Sequence, residues 1–169
     1  MTKYIDDAGN TVKLTASQIT QFQRYYQESD KAVRELMQVQ EYQSATQEER
    51  AKLIKKIYDY YYDYAKARVA GLSSSSKISK ILALTNGNIS LSNLVAILNK
   101  VSQITATKRK TRKELVIDYI NHSNLSKQDK ILAMYLAGYS VSGNSQKTLI
   151  NFLTSKGVSR KDALSFVGA

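Results

Sequence analysis

Two long stretches of this sequence carry apolar side chains at alternating intervals of three and four residues, the spacing of one face of an α-helix. The first helix is expected to begin at a capping box of Thr15 and Gln18 and to run to about residue 41. The second is expected from a similar box at Thr46 and Glu49 to about residue 72. The stripes are Ile19, Phe22, Tyr26, Ser29, Val33, Leu36 and Gln40, and then Leu53, Ile54, Ile57, Tyr58, Tyr61, Ala65, Val69 and Leu72. Their short connection predicts an antiparallel helical hairpin.

A short β element is expected ahead of the first helix. Residues 4–5 and 12–14 are compatible with strands, and residues 6–10 between them, Asp-Asp-Ala-Gly-Asn, favour a turn. A two-stranded hairpin of this size is marginally stable alone, so we expect it to pack on the helices. Turn chemistry explains Asp6 and Asp7 better than metal binding does.

The remaining chain repeats one turn signature at an offset of 33 residues. In each copy a helix ends, one apolar residue follows, and a Ser then caps the next helix. The two clear copies place this Ser at positions 126 and 159, with Asp129 and Asp162 three residues later. Short helices are predicted over 76–85, 91–104, 108–122, 127–137, 145–155 and 160–167. Two clear copies are too few for a solenoid, so the expected fold class is all-α: an N-terminal antiparallel helical hairpin with a short β element, followed by a basic bundle of short helices.

Charge is distributed unevenly along the 169 residues, which carry 25 Lys and Arg against 14 Asp and Glu, a net charge of +11. Residues 1–72 hold 11 basic and 10 acidic side chains, whereas residues 73–169 hold 14 basic and 4 acidic ones. The Gly and Ser run over 71–76 has the composition of a flexible connector. We therefore divide the chain into a hairpin unit over 1–72, a Ser-rich linker over 73–76 and a basic bundle over 77–169.

The residue types that enzymes use most are scarce. The sequence has no Cys and one His, which excludes disulfides, thiolate zinc sites and Cys nucleophiles. His122 stands alone at a helix end, and no two carboxylates stand out as an acid and base pair. No phosphate-cradling Gly loop or nucleophile motif occurs. We expect no catalytic residue, no metal, no cofactor and no small-molecule substrate.

The strongest charge motif covers residues 108–113, Lys-Arg-Lys-Thr-Arg-Lys, at the start of a predicted helix. Cations at a helix N-terminus oppose the helix dipole, so a phosphate backbone, an acidic partner surface or plain solubility is expected to favour them. Residues 131–155 also have the outline of a helix-turn-helix, with Gln146, Lys147 and Asn151 on its second helix. The candidates for anion or nucleic-acid contact are Lys108, Arg109, Lys110, Arg112, Lys113 and Lys147.

Tyrosines crowd the second long helix at positions 58, 60, 61, 62 and 64. One interpretation is a platform on which bases or a protein partner stack. The other is a core stripe through Tyr58 and Tyr61, with the neighbouring tyrosines on its shoulders, which fits the helical spacing. The candidates for partner contact are Tyr60, Tyr62 and Tyr64.

Two stretches of the chain resemble a known family. The first joins residues 12–23 (Val-Lys-Leu-Thr-Ala-Ser-Gln-Ile-Thr-Gln-Phe-Gln) to residues 49–60 and 64–66, and the second joins residues 116–121, 125–130 and 137–139. In this order they resemble the C-terminal region of large virion proteins, minor structural or tail-associated, of phages and prophages of Gram-positive bacteria. The resemblance covers about two-thirds of the chain and rests on helix patterns.

This resemblance implies a non-enzymatic, phage-derived binding or virion-assembly module that contacts a virion component or a host protein. The alternative is a basic nucleic-acid-binding protein, such as a phage inhibitor of a host nucleic-acid-handling defence complex, acting through residues 108–113 and 131–155. No membrane partner is expected, because no apolar run approaches the roughly 18–20 residues that span a bilayer. The N-terminus lacks the apolar segment of a signal peptide, so we expect the bacterial host cytoplasm or the virion as the location, without secretion.

Overall fold

The computed structural model of the chain describes residues 3–5, 11–71 and 76–168. These residues are mostly helical, which confirms the all-α fold class. Two short strands come first, β1 (Lys3–Ile5) and β2 (Thr11–Lys13), and they pair antiparallel. The helices are α1 (Ala16–Leu36), α2 (Gln40–Gln43), α3 (Gln47–Ala70), α4 (Lys77–Leu84), α5 (Leu91–Ser102), α6 (Arg112–Asn121), α7 (Lys127–Leu136), α8 (Gly143–Ser155) and α9 (Arg160–Val167). Within the described ranges, no helix combines the length and the apolarity needed to cross a membrane. The predicted turn over 6–10 lies outside the described residues.

The predicted caps start the helices. Thr15 and Gln18 form the expected capping box, in which the Gln18 amide donates to Thr15 Oγ1 over 3.2 Å and the Thr15 amide donates to Gln18 Oε1 over 2.9 Å. Ser126 and Ser159 cap α7 and α9, each accepting from the amide three residues later, at 3.2 and 3.1 Å. Such bonds satisfy amides that have no partner inside the helix.

The first long helix ends earlier than its apolar spacing predicts. α1 ends at Leu36 and a turn leads into α2, so the prediction of one helix to about residue 41 is wrong. Val39 in this turn is buried although its backbone is extended, with φ −79° and ψ 133°. The apolar pattern therefore continues through a break in the helix. Thr46 then caps α3 by accepting from the Glu49 amide over 3.2 Å.

One hydrophobic core, the long-helix core, lies between α1 and α3 and extends onto α4 and α5. Its buried members are Ala32, Val33, Leu36, Val39, Leu53, Ile57, Tyr61, Tyr64, Leu82, Leu91, Val95 and Ala96. Tyrosine rings pack edge to face within it: the ring centre of Tyr64 lies 5.5 Å from that of Tyr25 and 5.7 Å from that of Tyr61. This arrangement is the one that aromatic quadrupoles favour.

A second core, the short-helix core, joins α4 through α9. Its buried members are Ile81, Leu94, Ile97, Val101, Val116, Ile120, Leu125, Leu132, Ala133, Leu149, Ile150, Leu153, Val158, Ala163 and Val167. α5 belongs to both cores, because Leu91 and Val95 pack into the long-helix core while Leu94 and Ile97 pack into the short-helix core.

The predicted division into residues 1–72 and 77–169 therefore does not separate two hydrophobic cores, since α4 and α5 contribute to both. Ser76, which the composition assigns to the linker, caps α4 by accepting from the Ser79 amide over 3.4 Å. Residues 73–75, the rest of the predicted linker, lie outside the described residues, as does residue 72.

Candidate functional site

Most of the basic cluster precedes a helix, whereas the sequence predicted a helix from residue 108. α6 begins at Arg112 because Thr111 and Glu114 form a capping box, in which the Glu114 amide donates to Thr111 Oγ1 over 3.2 Å. The cations at 108–110 are therefore placed by loop geometry and do not oppose the dipole from within the first turn.

Residues 107–110 form a turn that is organised by Thr107. The Thr107 amide donates to the Lys110 carbonyl over 3.0 Å, and Thr107 Oγ1 accepts from the amides of Arg109 and Lys110 at 3.3 and 3.1 Å. Lys108 and Arg109 occupy the tip of this turn and are exposed. Neither side chain forms an ion pair or a hydrogen bond with any residue that the structure describes.

Arg112 is engaged inside the protein, contrary to its predicted contact with an external anion. Its guanidinium donates to the carbonyls of Val101 and Ile104, both at 3.2 Å, and to Tyr139 Oη at 2.9 Å. Val101 lies in the last turn of α5, where carbonyls have no partner inside the helix and the dipole favours a cation. Arg112 thus fastens the end of α5 to the start of α6 and to the segment after α7.

We expect Arg112→Ala to lower the free energy of unfolding by about 2 kcal/mol, because it removes three hydrogen bonds from a charged donor. Arg112→Lys should restore only part of this, since an ammonium group cannot reproduce the guanidinium fork. The exposed neighbour Lys113 is the matched control, and Lys113→Ala should change stability by no more than about 0.5 kcal/mol. Chemical denaturation measures all three, and equal losses of stability at positions 112 and 113 would contradict a structural role for Arg112.

Lys110, a further predicted anion contact, is paired with an acid. Its Nζ lies 2.8 Å from Asp118 Oδ2. The hydrogen bond from Lys110 holds the pKa of Asp118 below its ordinary value, and the same bond raises the pKa of Lys110. Both side chains are about half exposed, so solvent screens the pair and its contribution to stability is small. The positive charge of Lys110 is nevertheless already balanced by the carboxylate of Asp118.

Lys147 lies in a groove of about 310 Å³ between α8 and α9. Gln146, Asn151 and Arg160 line the same groove, so the structure brings the three side chains predicted on α8 together with a second cation. Lys147 and Arg160 are exposed and form no ion pair with the residues described. Arg160 was missed by the sequence analysis, which treated its segment only as a helix start. The connection over 137–142 is longer than the roughly three or four residues of a helix-turn-helix.

Each of the four acidic side chains in residues 76–168 lies either in the first turn of a helix or beside a lysine. Glu114, Asp129 and Asp162 lie in the first turns of α6, α7 and α9, where a carboxylate complements the helix dipole. Asp118 pairs with Lys110. Within the described ranges, no acid pairs with the loop cations (Lys108 and Arg109), with Lys113 in the first turn of α6, or with the groove cations (Lys147 and Arg160).

Tyr64, predicted to contact a partner, is fully buried in the long-helix core, so that prediction is wrong. Its hydroxyl donates to Asn86 Oδ1 over 3.4 Å. Burial and the carboxylate of Glu28 raise the pKa of Tyr64. The core stripe of α3 runs through Tyr61 and Tyr64, while Tyr58 is only half-buried.

The other two predicted contact residues, Tyr60 and Tyr62, are half-buried. The Tyr62 ring packs edge to face against Phe22 and Tyr26, with ring centres 5.3 and 5.9 Å apart. The Tyr60 hydroxyl has no hydrogen-bond partner in the part of the chain that the structure describes. The Tyr62 hydroxyl also has no such partner, but its ring is held by aromatic contacts, whereas the Tyr60 ring makes none with the described residues.

His122 caps the end of α6, with Nδ1 2.7 Å from the carbonyl oxygen of Asp118. Over the described ranges, no three side chains among His, Cys, Asp and Glu lie close enough together to hold a metal ion.

No protein-family model matches the chain, and no curated protein or solved structure matches it either.

Proposed function

We propose that the chain is a non-enzymatic binding protein whose basic short helices contact the phosphate backbone of a nucleic acid. The observation that carries the proposal concerns the four acids of residues 76–168, each of which lies in the first turn of a helix or pairs with Lys110. The loop cations and the groove cations therefore face solvent without an acid partner in the described structure. Unpaired Lys and Arg side chains of this kind release counterions from phosphates on binding. The affinity would be largely independent of base sequence and sensitive to salt.

The N-terminal helical hairpin and its β element would serve as the scaffold in this proposal. Its first 72 residues are almost neutral, with 11 basic and 10 acidic side chains, and α3 packs directly on α4 and α5. The basic half thus gains a rigid support that does not itself repel or attract phosphate strongly. Gln146 and Asn151 beside Lys147 add amide groups that can bond to base edges or to backbone oxygens.

The charge reversal Lys108→Glu with Arg109→Glu tests the loop cations. We expect at least about a tenfold decrease in affinity for duplex or single-stranded DNA at low salt, measured by fluorescence anisotropy, which corresponds to about 1.4 kcal/mol. Lys147→Glu with Arg160→Glu tests the groove cations in the same assay. The matched control is Lys52→Glu with Lys56→Glu on α3, which changes the net charge equally at exposed positions of the other half. Absence of binding by the unaltered chain at low salt would remove the proposal.

A virion-assembly function through protein contacts is the second proposal, and Tyr60 is the residue that favours it. Burial, reinforced by Asp59 and Asp63, raises the pKa of Tyr60, so its hydroxyl stays protonated and can donate to a partner. Sedimentation of virions from a phage that encodes the chain tests this function. Co-sedimentation that Tyr60→Ala reduces would support it, and absence of the chain from the virion pellet would contradict it.

A further inference from the structure

A cleft of about 600 Å³ has none of the loop or groove cations in its lining. Its walls come from α1, α3, the loop between α4 and α5, and the ends of α7 and α8. The polar groups at its centre are Glu28 and Glu35 from α1, Tyr61 from α3, and Asn86 and Asn88 from the loop. These side chains are drawn from both halves of the sequence.

Tyr61 brings a hydroxyl to the wall of the cleft that has no hydrogen-bond partner among the described residues. The residue is only 6% exposed, yet its hydroxyl makes no hydrogen bond with the described residues. Its burial, together with the carboxylates of Glu28 and Glu35, raises the pKa of Tyr61 to about 12. The Tyr61 side chain is held by the core while its hydroxyl is not one of the enclosed polar atoms of the described residues, so the oxygen can bond to a ligand that enters the cleft with its own donors.

Gly87 lies beside the carboxylate of Glu28 in the lining of the cleft. The glycine has a left-handed backbone (φ +79°), and a Cβ at this position would lie 3.3 Å from Glu28 Oε2. Asn86 before it is also left-handed, with φ 54°, and accepts from the Tyr64 hydroxyl. A side chain at position 87 would require the Glu28 carboxylate to shift by a few tenths of an ångström.

The charge of the cleft is opposite to that of the chain as a whole. Three acids line it, Glu28, Glu35 and Asp129, against Lys31 and Lys156, which gives a net charge of −1 in a protein of net charge +11. In the described structure neither Glu28 nor Glu35 forms an ion pair.

One of the two lysines is turned towards an aromatic wall. The Nζ of Lys156 lies 5.3 Å from the ring centre of Phe152, so the positive charge of this lysine is partly taken up by a cation–π contact. A guanidinium or ammonium group in this cleft would lie among the side chains of Glu28 and Glu35, which form no ion pair with the described residues, and the hydroxyl of Tyr61.

We infer that this cleft binds a guanidinium or ammonium group, carried either by a small organic cation or by an Arg or Lys side chain of a protein. The carboxylates of Glu28 and Glu35 would accept charge-assisted hydrogen bonds, and the Tyr61 oxygen would accept a further one. This site does not rest on the nucleic-acid proposal, because it lies on other residues and takes a ligand of opposite charge.

Titration of the isotope-labelled chain with N-acetyl-arginine amide, spermidine and a Gly-Arg-Gly peptide, followed by NMR, tests the site. We expect saturable shifts of the Gly87 and Asn88 amides and a dissociation constant on the order of 1 mM for a single guanidinium. Tyr61→Phe should weaken binding about fivefold, because it removes one hydrogen bond. It should leave the thermal midpoint unchanged, because the hydroxyl has no partner within the described protein. Glu28→Gln with Glu35→Gln should weaken binding about fivefold or more.

Glu48→Gln is the matched control, since Glu48 is an exposed carboxylate outside the cleft, and it should bind as the unaltered chain does. Equal affinity for the free amide and the peptide would assign the site to a small cation. Tighter binding of the peptide by about tenfold or more would assign it to a protein side chain. No saturable shift at Gly87 with any probe, or undiminished binding by the Glu28 and Glu35 double variant, would overturn the inference.

Discussion

Replacing Tyr64 with alanine is expected to lower the free energy of unfolding by about 3–5 kcal/mol, because a large buried aromatic side chain leaves a cavity that its neighbours fill only partly. Tyr64 is fully buried in the long-helix core and packs edge to face against Tyr25 and Tyr61. The decrease is a large share of the roughly 5–15 kcal/mol that stabilises a typical domain. Chemical denaturation followed by circular dichroism measures it.

Tyr64→Phe is the matched control for this prediction. It keeps the ring and removes only the hydroxyl, whose hydrogen bond to Asn86 is long at 3.4 Å. We expect it to cost about 0.5–1 kcal/mol. If Tyr64→Ala changed stability by no more than Tyr64→Phe does, the ring would not be part of the core.

Leu94→Ala should lower the free energy of unfolding by about 2–5 kcal/mol. Leu94 is fully buried in the short-helix core, on the helix that both cores share. Because Val95, the next residue, packs into the long-helix core, we expect the destabilisation to reach both halves of the chain. Hydrogen exchange should then accelerate for slowly exchanging amides of α3 as well as for those of α8.

Acceleration confined to α6 through α9 would contradict this coupling. Such a result would mean that the two halves unfold separately, as the composition of residues 71–76 suggests. Leu84→Ala is the comparison variant, because Leu84 is only partly buried at the edge of the short-helix core. Its effect should be smaller in both halves.

The helical fold class and most helix starts can be predicted from the sequence, because they depend on local chemistry. A Ser or Thr oxygen that accepts from the amide three residues later acts within one turn, so the caps at Thr15, Ser126 and Ser159 could be identified without any tertiary information. The helix break at Val39 could not, because an apolar residue keeps its place in the pattern whether the chain continues as a helix or turns.

The candidate site was predicted less completely, since composition does not show which cations are already paired. Arg112 and Lys108 look alike in the basic cluster, yet Arg112 reaches carbonyls of α5 and Tyr139, eight to 27 residues away in sequence. Tyr64 was assigned to partner contact because the predicted stripe passed from Tyr61 to Ala65, whereas the structure buries both Tyr64 and Ala65. Arg160 joins Lys147 only through the packing of α9 on α8.

The most direct test of the account is the salt dependence of nucleic-acid binding. The logarithm of the association constant should fall linearly with the logarithm of salt concentration, and removing one cation that touches a phosphate should reduce the slope by about 0.9 for duplex DNA. Lys108→Glu with Arg109→Glu is predicted to flatten the slope, while Lys52→Glu with Lys56→Glu should leave it as in the unaltered chain. The same slope in both double variants, or no binding at low salt, would contradict the proposal that the exposed cations of the short helices contact phosphate.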